Sequence, residues 1–224
     1  MNNFAEKAIQ FYQTIQLPQN LPEGIEVMHP HLLPEIAGVS SDFYRKFYSD
    51  SLPRTFIIGI NPGRFGGGLT GVPFTDPEKL RLFCGIEHSL TGQTELSADF
   101  IYQVIAEYGG TNKFYSDFYF TSVVPLGFTR STTNLNYYDN KKLVQELFPL
   151  MAVWMREQLT FGANTDRCIC LGSGKNLQYL NKLNEQHHFF KRIDALDHPR
   201  FIMQYKRKSL RDYIYKYLEV LHQQ

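Results

Sequence analysis

The sequence predicts an α/β fold in three layers, a mostly parallel central sheet of about four strands with helices on both faces. Two patterns predict it. Short, continuous apolar runs recur along the chain, as expected of strands buried on both faces. Longer stretches with helical spacing separate them, and strands that alternate with helices pair in parallel. With 224 residues, 43% of them apolar, the chain suits one domain over residues 1–224 with a substantial core. No internal repeat, low-complexity tract or linker divides it.

The elements follow in order. Residues 4–16 space their apolar side chains for one buried helical face. Residues 17–53, rich in proline and histidine, are expected to wrap the body as loops, with a short helix near 40–49. "TFIIGI", 55–60, is the first strand. Residues 76–84 and 97–108 read as helices, the first capped by Asp76 with Pro77 in its first turn. "FYFTSVVPL", 118–126, is the second strand, and 140–159 a long helical pattern interrupted by Pro149. "CICLGSG", 168–174, is the third strand, followed by a helix over 175–183. "FFKRIDAL", 189–196, is the fourth, and residues 209–221 form a final amphipathic helix.

Composition narrows the function. The formal net charge of +1 means that any binding of nucleic acid must come from a local patch. Three cysteines, Cys84, Cys168 and Cys170, leave one over in any disulfide scheme and cannot build a four-cysteine metal cluster. They read as buried thiols. No apolar run reaches membrane-spanning length, and the N-terminus lacks the basic region and apolar block of a signal peptide. The expectation is a soluble cytoplasmic protein with no cofactor, no metal and no membrane partner.

In parallel sheets of this kind the ligand site lies beyond the carboxyl ends of the strands. Three polar clusters fall there: Asn61 to Phe74, Ser122, and His198. The first belongs to "FIIGINPGRFGGGLTGVPFT", residues 56–75, with six glycines and two prolines. It lacks the G-x-x-x-x-G-K-[ST] of a phosphate loop; "GSGKN" has Ile169 where the first glycine belongs. It also fits a dinucleotide fingerprint poorly, because Pro62 cannot donate an N–H and no helix opens directly from it. A third use is a loop that lets a flat ring slide against the backbone. Asn61 would supply an amide and Phe74 a π-face. On spacing alone, Phe74 as a core residue behind ordinary turns stays open.

"GINPGRFGGGLTGVPF" resembles the first motif of the single-strand-selective monofunctional uracil-DNA glycosylases, G-[MI]-N-P-G-x-F-G-x-x-x-T-G-V-P-F. "LDHPRF" is similar to the histidine-containing second motif of the uracil-DNA glycosylase superfamily, and "FYFTSVVPLGF…STTNL" to its base-reading strand. The similarity runs in order over about residues 54–215. It implies a uracil-DNA glycosylase-like fold and a hydrolase of the bond between a damaged base and deoxyribose, with DNA as partner. The base must first leave the stack, because that bond is inaccessible inside a duplex.

Residue by residue, the resemblance implies that Asn61 positions the attacking water and that His198 donates to uracil O2 as charge develops on the base. Ile60, Gly63, Phe74, Ser122 and Asn134 would line the base, with Phe74 stacked on it. Gly63 stands where thymine-excluding relatives carry a tyrosine against C5. Room at C5 is therefore expected, with a bound water as a candidate discriminator.

Two departures qualify the match. Ser122 stands where better-known members carry a uracil-reading asparagine, and a hydroxyl makes fewer contacts. That leaves a weakly active or inactive binder of damaged or single-stranded DNA as the alternative. After His198 the family typically reads H-P-S-P-R, but here Phe201, Ile202 and Met203 follow Arg200. These apolar residues read either as a wedge into DNA or as a buried strand extension. Arg200, Lys206, Arg207 and Lys208, with Arg211, form the local basic patch, read against an ordinary solvated helix start.

Overall fold

A computed structural model describes residues 3–223. The helices are α1 (Phe4–Thr14), α2 (Pro34–Phe47), α3 (Gly67–Thr70), α4 (Pro77–Leu82), α5 (Leu96–Tyr108), α6 (Thr111–Asp117), α7 (Lys141–Leu159), α8 (Lys175–His187), α9 (Pro199–Tyr205) and α10 (Leu210–Leu221). The strands are β1 (Glu26–Met28), β2 (Arg54–Gly59), β3 (Phe118–Ser122), β4 (Gly127–Arg130), β5 (Thr133–Leu135), β6 (Ala163–Leu171) and β7 (Arg192–Leu196).

The main sheet has four strands in the order β3-β2-β6-β7, every pair parallel. The apolar runs are buried on both faces, as their continuity requires. Phe56 packs against Tyr119 on the face that carries Phe4 of α1 and Phe161. Ile57, Phe120 and Ile169 turn to the opposite face, against Ile101 and Val104 of α5 and Tyr217 of α10. The three layers thus follow from pleat alternation alone: successive residues of one strand enter different cores.

Several elements differ from the sequence reading. The helix expected near 40–49 runs over Pro34–Phe47, because Pro34 supplies a preset first turn. The 118–126 strand stops at Ser122, although Val123 and Val124 still donate to the carbonyls of Gly59 and Ile60 at 3.0 and 3.2 Å. Pro125 has no N–H to extend that ladder. β4 and β5 then form a hairpin that joins β1 in a small antiparallel sheet. Neither these short strands nor the two-turn α6 was legible, since three to seven residues carry too little periodicity. Pro149 does not interrupt α7, which runs through it unbroken with the ring on an exposed face. β6 begins earlier than expected, at Ala163, and β7 later, at Arg192.

Asp76 caps α4 as expected, its carboxylate accepting the Lys79 N–H at 2.9 Å. Among the described residues no helix is long and apolar enough to cross a membrane.

Candidate active site

The carboxyl ends of β2 and β3 open onto a cleft of about 620 Å³, counted with its mouth. Ile60, Asn61, Gly63, Phe74, Ser122, Asn134 and His198 all line it. Their elements are distant in sequence, and the parallel sheet brings them to one edge.

Asn61 stands two residues beyond the end of β2. Its amide nitrogen donates to the carbonyls of Leu135 and Pro62 at 3.1 and 3.3 Å, and its oxygen accepts the Tyr137 N–H at 3.0 Å. Two carbonyls on one side and an N–H on the other determine which atom is which. One lone pair of Oδ1 stays free for a further donor. The end of β5 and the turn that follows it, missed in the sequence, thereby clamp the amide before any substrate arrives.

Phe74 adopts a left-handed backbone (φ 54°), a conformation unfavourable for a bulky residue by about 1–3 kcal/mol. Its neighbours hold it there. The buried Thr70 hydroxyl donates to the Thr75 carbonyl at 2.7 Å and accepts the Val72 N–H at 3.1 Å, tying the loop on either side of the ring. The ring crosses the end of β2, where a Cβ on Gly59 would come within 2.8 Å of it. Gly59 is therefore required for the ring to lie where it does. Phe74 sits between Phe120 (centroids 5.1 Å apart) and His198 (5.9 Å). It remains half-buried, with the cleft beside it.

His198 is the N-cap of α9, and its Nδ1 accepts the Arg200 N–H at 3.2 Å. That bond fixes the tautomer: a nitrogen that accepts carries no proton, so the neutral ring keeps its proton on Nε2. Burial, aided by the Arg200 charge, lowers the imidazole to about 4. At neutral pH the residue is an uncharged donor.

Ser122, buried at the tip of β3, and Asn134, on β5, complete the lining, and the Asn134 Oδ1 accepts the Arg64 N–H at 3.2 Å.

Two further groups in the cleft went unread in the sequence. Glu95 and Ser97 lie at the start of α5. The Glu95 carboxyl occupies space left by glycine: a Cβ on Gly66 would stand 1.9 Å from its Oε2. Asp76 anchors this segment, its Oδ2 accepting the Glu95 N–H at 2.9 Å. Burial, then Asp76 and Asp99, push the Glu95 carboxyl up to about 7 against the opposing pull of Arg200. The glycine triplet signalled that something approaches the loop closely; nothing local said that it was a carboxyl from a distant segment.

The segment after His198 is a helix, which corrects the strand-extension reading and, for Ile202 and Met203, the wedge reading. Ile202 and Met203 point into the core, at 0% and 6% exposure, and cannot meet DNA in this conformation. Helical spacing is the reason: these two positions face α5, while Phe201 and Tyr205, one turn apart, turn outward with ring centroids at 5.5 Å. Arg200, Lys206, Arg207 and Lys208 are exposed and make no ion pair among the described residues, whereas Arg211 is held by Glu107 at 2.8 Å. Among the described residues, no group of three or more His, Cys, Asp or Glu side chains is placed to hold a metal ion.

Comparison with known proteins bears on the family and the fold. The family profile described as the uracil DNA glycosylase superfamily matches residues 46–222. The crystal structure of wild-type Pedobacter heparinus SMUG2 superposes with a TM-score of 0.95 at 46% identity, over 98% of this chain and 97% of that one. No curated protein matches. A profile match over most of the chain and a near-complete structural match converge on one assignment: the chain belongs to the uracil DNA glycosylase superfamily.

Proposed function

We propose that this DNA glycosylase is monofunctional and hydrolyses the N-glycosidic bond of uracil, or of uracil modified at C5, with Asn61 and His198 as its catalytic residues. The observation that carries the proposal is their arrangement. A clamped carboxamide and a neutral imidazole donor line one cleft together with an aromatic ring held in a strained backbone.

The chemistry follows from the groups available. An extruded base enters and stacks on Phe74, a contact worth about 1–3 kcal/mol. The C1′–N1 bond breaks first, and its electron pair leaves with the base. The developing charge on O2 meets the His198 Nε2–H, a fixed dipole that needs no reorganisation. Neutrality suits this role, since the group must donate throughout and need not transfer its proton. Water then adds to the cationic sugar carbon, and the proton it loses goes to the departed base anion or to solvent. An amide is too weak a base to deprotonate water beforehand; the free lone pair of Asn61 Oδ1 orients it instead. Ser122 and Asn134 contact the base from the strand ends. Arg200, Phe201, Lys206, Arg207 and Lys208 offer the DNA-facing surface, with cations for phosphates and a ring for stacking.

A second reading rests on Ser122. One hydroxyl reads less of the base edge than a carboxamide, which favours a weakly active binder of damaged DNA. One assay separates the two. A uracil-containing oligonucleotide is incubated with the protein and then treated with hot alkali. Scission shows base removal and is the expected result. Retardation in a gel without scission would establish a binder, and the absence of both scission and retardation would refute both readings.

A further inference from the structure

The cleft contains a carboxyl that the reaction above does not use. Glu95 presents its carboxyl to the lining, and its side chain makes no hydrogen bond or ion pair among the described residues. Two glycines make room for it. On Gly66 any Cβ would collide with Oε2; on Gly63 the Cβ position lies 3.4 Å from Glu95 Oε1 and 3.5 Å from Asn134 Nδ2. A carboxyl oxygen and an amide N–H donor thus converge beside Gly63, with the Asn134 oxygen already occupied by Arg64. An acceptor and a donor aimed at one spot match a hydroxyl, which gives one hydrogen bond and takes another.

We infer that Glu95 is a specificity-determining residue that, with Asn134, recognises a hydroxyl-bearing substituent at C5 of the base and disfavours a methyl group there. The inference rests on the glycosylase reading. In that reading O2 lies at His198 and the N3–C4 edge at Ser122 on the tip of β3. Passing round the ring, the next edge is C5–C6; Gly63, which the motif resemblance puts at C5, has Glu95 and Asn134 beside it in the cleft. A methyl group against this wall would strip solvent from a carboxyl and return no hydrogen bond. A hydroxymethyl group would satisfy both partners. Near neutral pH the carboxyl is present both ionised and protonated, so it can accept from such a substituent or donate to one.

The test compares single-turnover release of uracil, 5-hydroxymethyluracil and thymine from otherwise identical oligonucleotides. Wild-type protein is set beside Glu95→Ala, Glu95→Leu and Glu95→Gln. Ratios of rates within one variant are the readout, because a loss of folded protein scales all three substrates alike. The hydroxymethyl-to-uracil ratio should fall about tenfold or more in the Ala and Leu variants, which both lack the acceptor. It should be retained in Glu95→Gln. The thymine-to-uracil ratio should rise about tenfold in Glu95→Ala, which vacates the methyl position. If wild type releases uracil and neither ratio moves in either apolar variant, the inference fails alone. If wild type releases none of the three bases, the glycosylase reading fails and takes the inference with it.

Discussion

Asn61 and Arg200 both border the cleft, yet they are held very differently. The Asn61 amide is tied to three backbone groups from two segments, whereas the Arg200 side chain is exposed and makes no ion pair among the described residues. His198 and Phe74 belong with the first, Lys206, Arg207 and Lys208 with the second. The inner groups have lost their freedom during folding, so their dipoles are already aimed when a substrate enters. The rim residues keep theirs. The contrast teaches that chemistry and affinity are built on separate parts of this molecule, and it can be tested from the inside outward.

Truncating the fixed groups should have the largest effect. His198→Ala and Asn61→Ala should each lower single-turnover base release by about 10²–10³-fold, the cost of one preorganised donor in a comparable site. Circular dichroism and melting should remain those of a folded protein. A loss below tenfold for both would show that the inner cleft is not where the reaction occurs.

Asn61→Asp sharpens the same point. Aspartate is the stronger base, and a base-driven reaction would gain from it. Here one carboxylate oxygen would face the carbonyls of Leu135 and Pro62, now at 3.1 and 3.3 Å from a donor. The variant should lose about 1–3 kcal/mol of stability by denaturant titration and gain no activity. Activity above wild type would mean that basicity matters more than the clamp.

The imidazole can be followed directly. The His198 resonance in NMR should titrate near 4 rather than near 6.5, as burial and Arg200 disfavour the cation. The sign for stability follows. Since the folded value lies below the unfolded one, the unfolded chain takes up the proton first. Stability from this group is complete above about pH 6.5 and is lost as pH falls from there toward 4. A midpoint above 6 would remove the neutral-donor assignment.

The rim should respond least and additively. Replacing Lys206, Arg207 or Lys208 singly by alanine should weaken binding a few-fold. The log–log salt slope on duplex DNA should become shallower by about 0.9 for each phosphate no longer neutralised. The rate of base release at saturating protein should stay unchanged. A rate effect as large as that of His198→Ala would erase the distinction between cleft and rim.

Much of this was legible from residues alone. The apolar runs at β2, β3 and β6 announced a buried parallel sheet, and Asp76-Pro77 announced a helix start, because both signals are local in the chain. Asn61, Phe74 and His198 stood out through motif resemblance. The hairpin β4–β5 did not, being short and stabilised by pairing rather than by its own periodicity. The fate of Ile202 and Met203 was likewise undecided until α9 set their direction; apolar side chains suit a core and a wedge equally well.

The sequence by itself determined the order of the four main strands and of the long helices between them, the glycines at 59, 63 and 66, and the residue types able to orient water, stack a base and donate to it. Those properties reside in single side chains and near neighbours. Tertiary structure alone decided that Tyr137 and Leu135 clamp Asn61, that Phe74 and His198 meet at one cleft, and that Glu95 fills the space beside Gly66. Each joins segments far apart in the chain, and its free energy exists only once the sheet has brought their ends together.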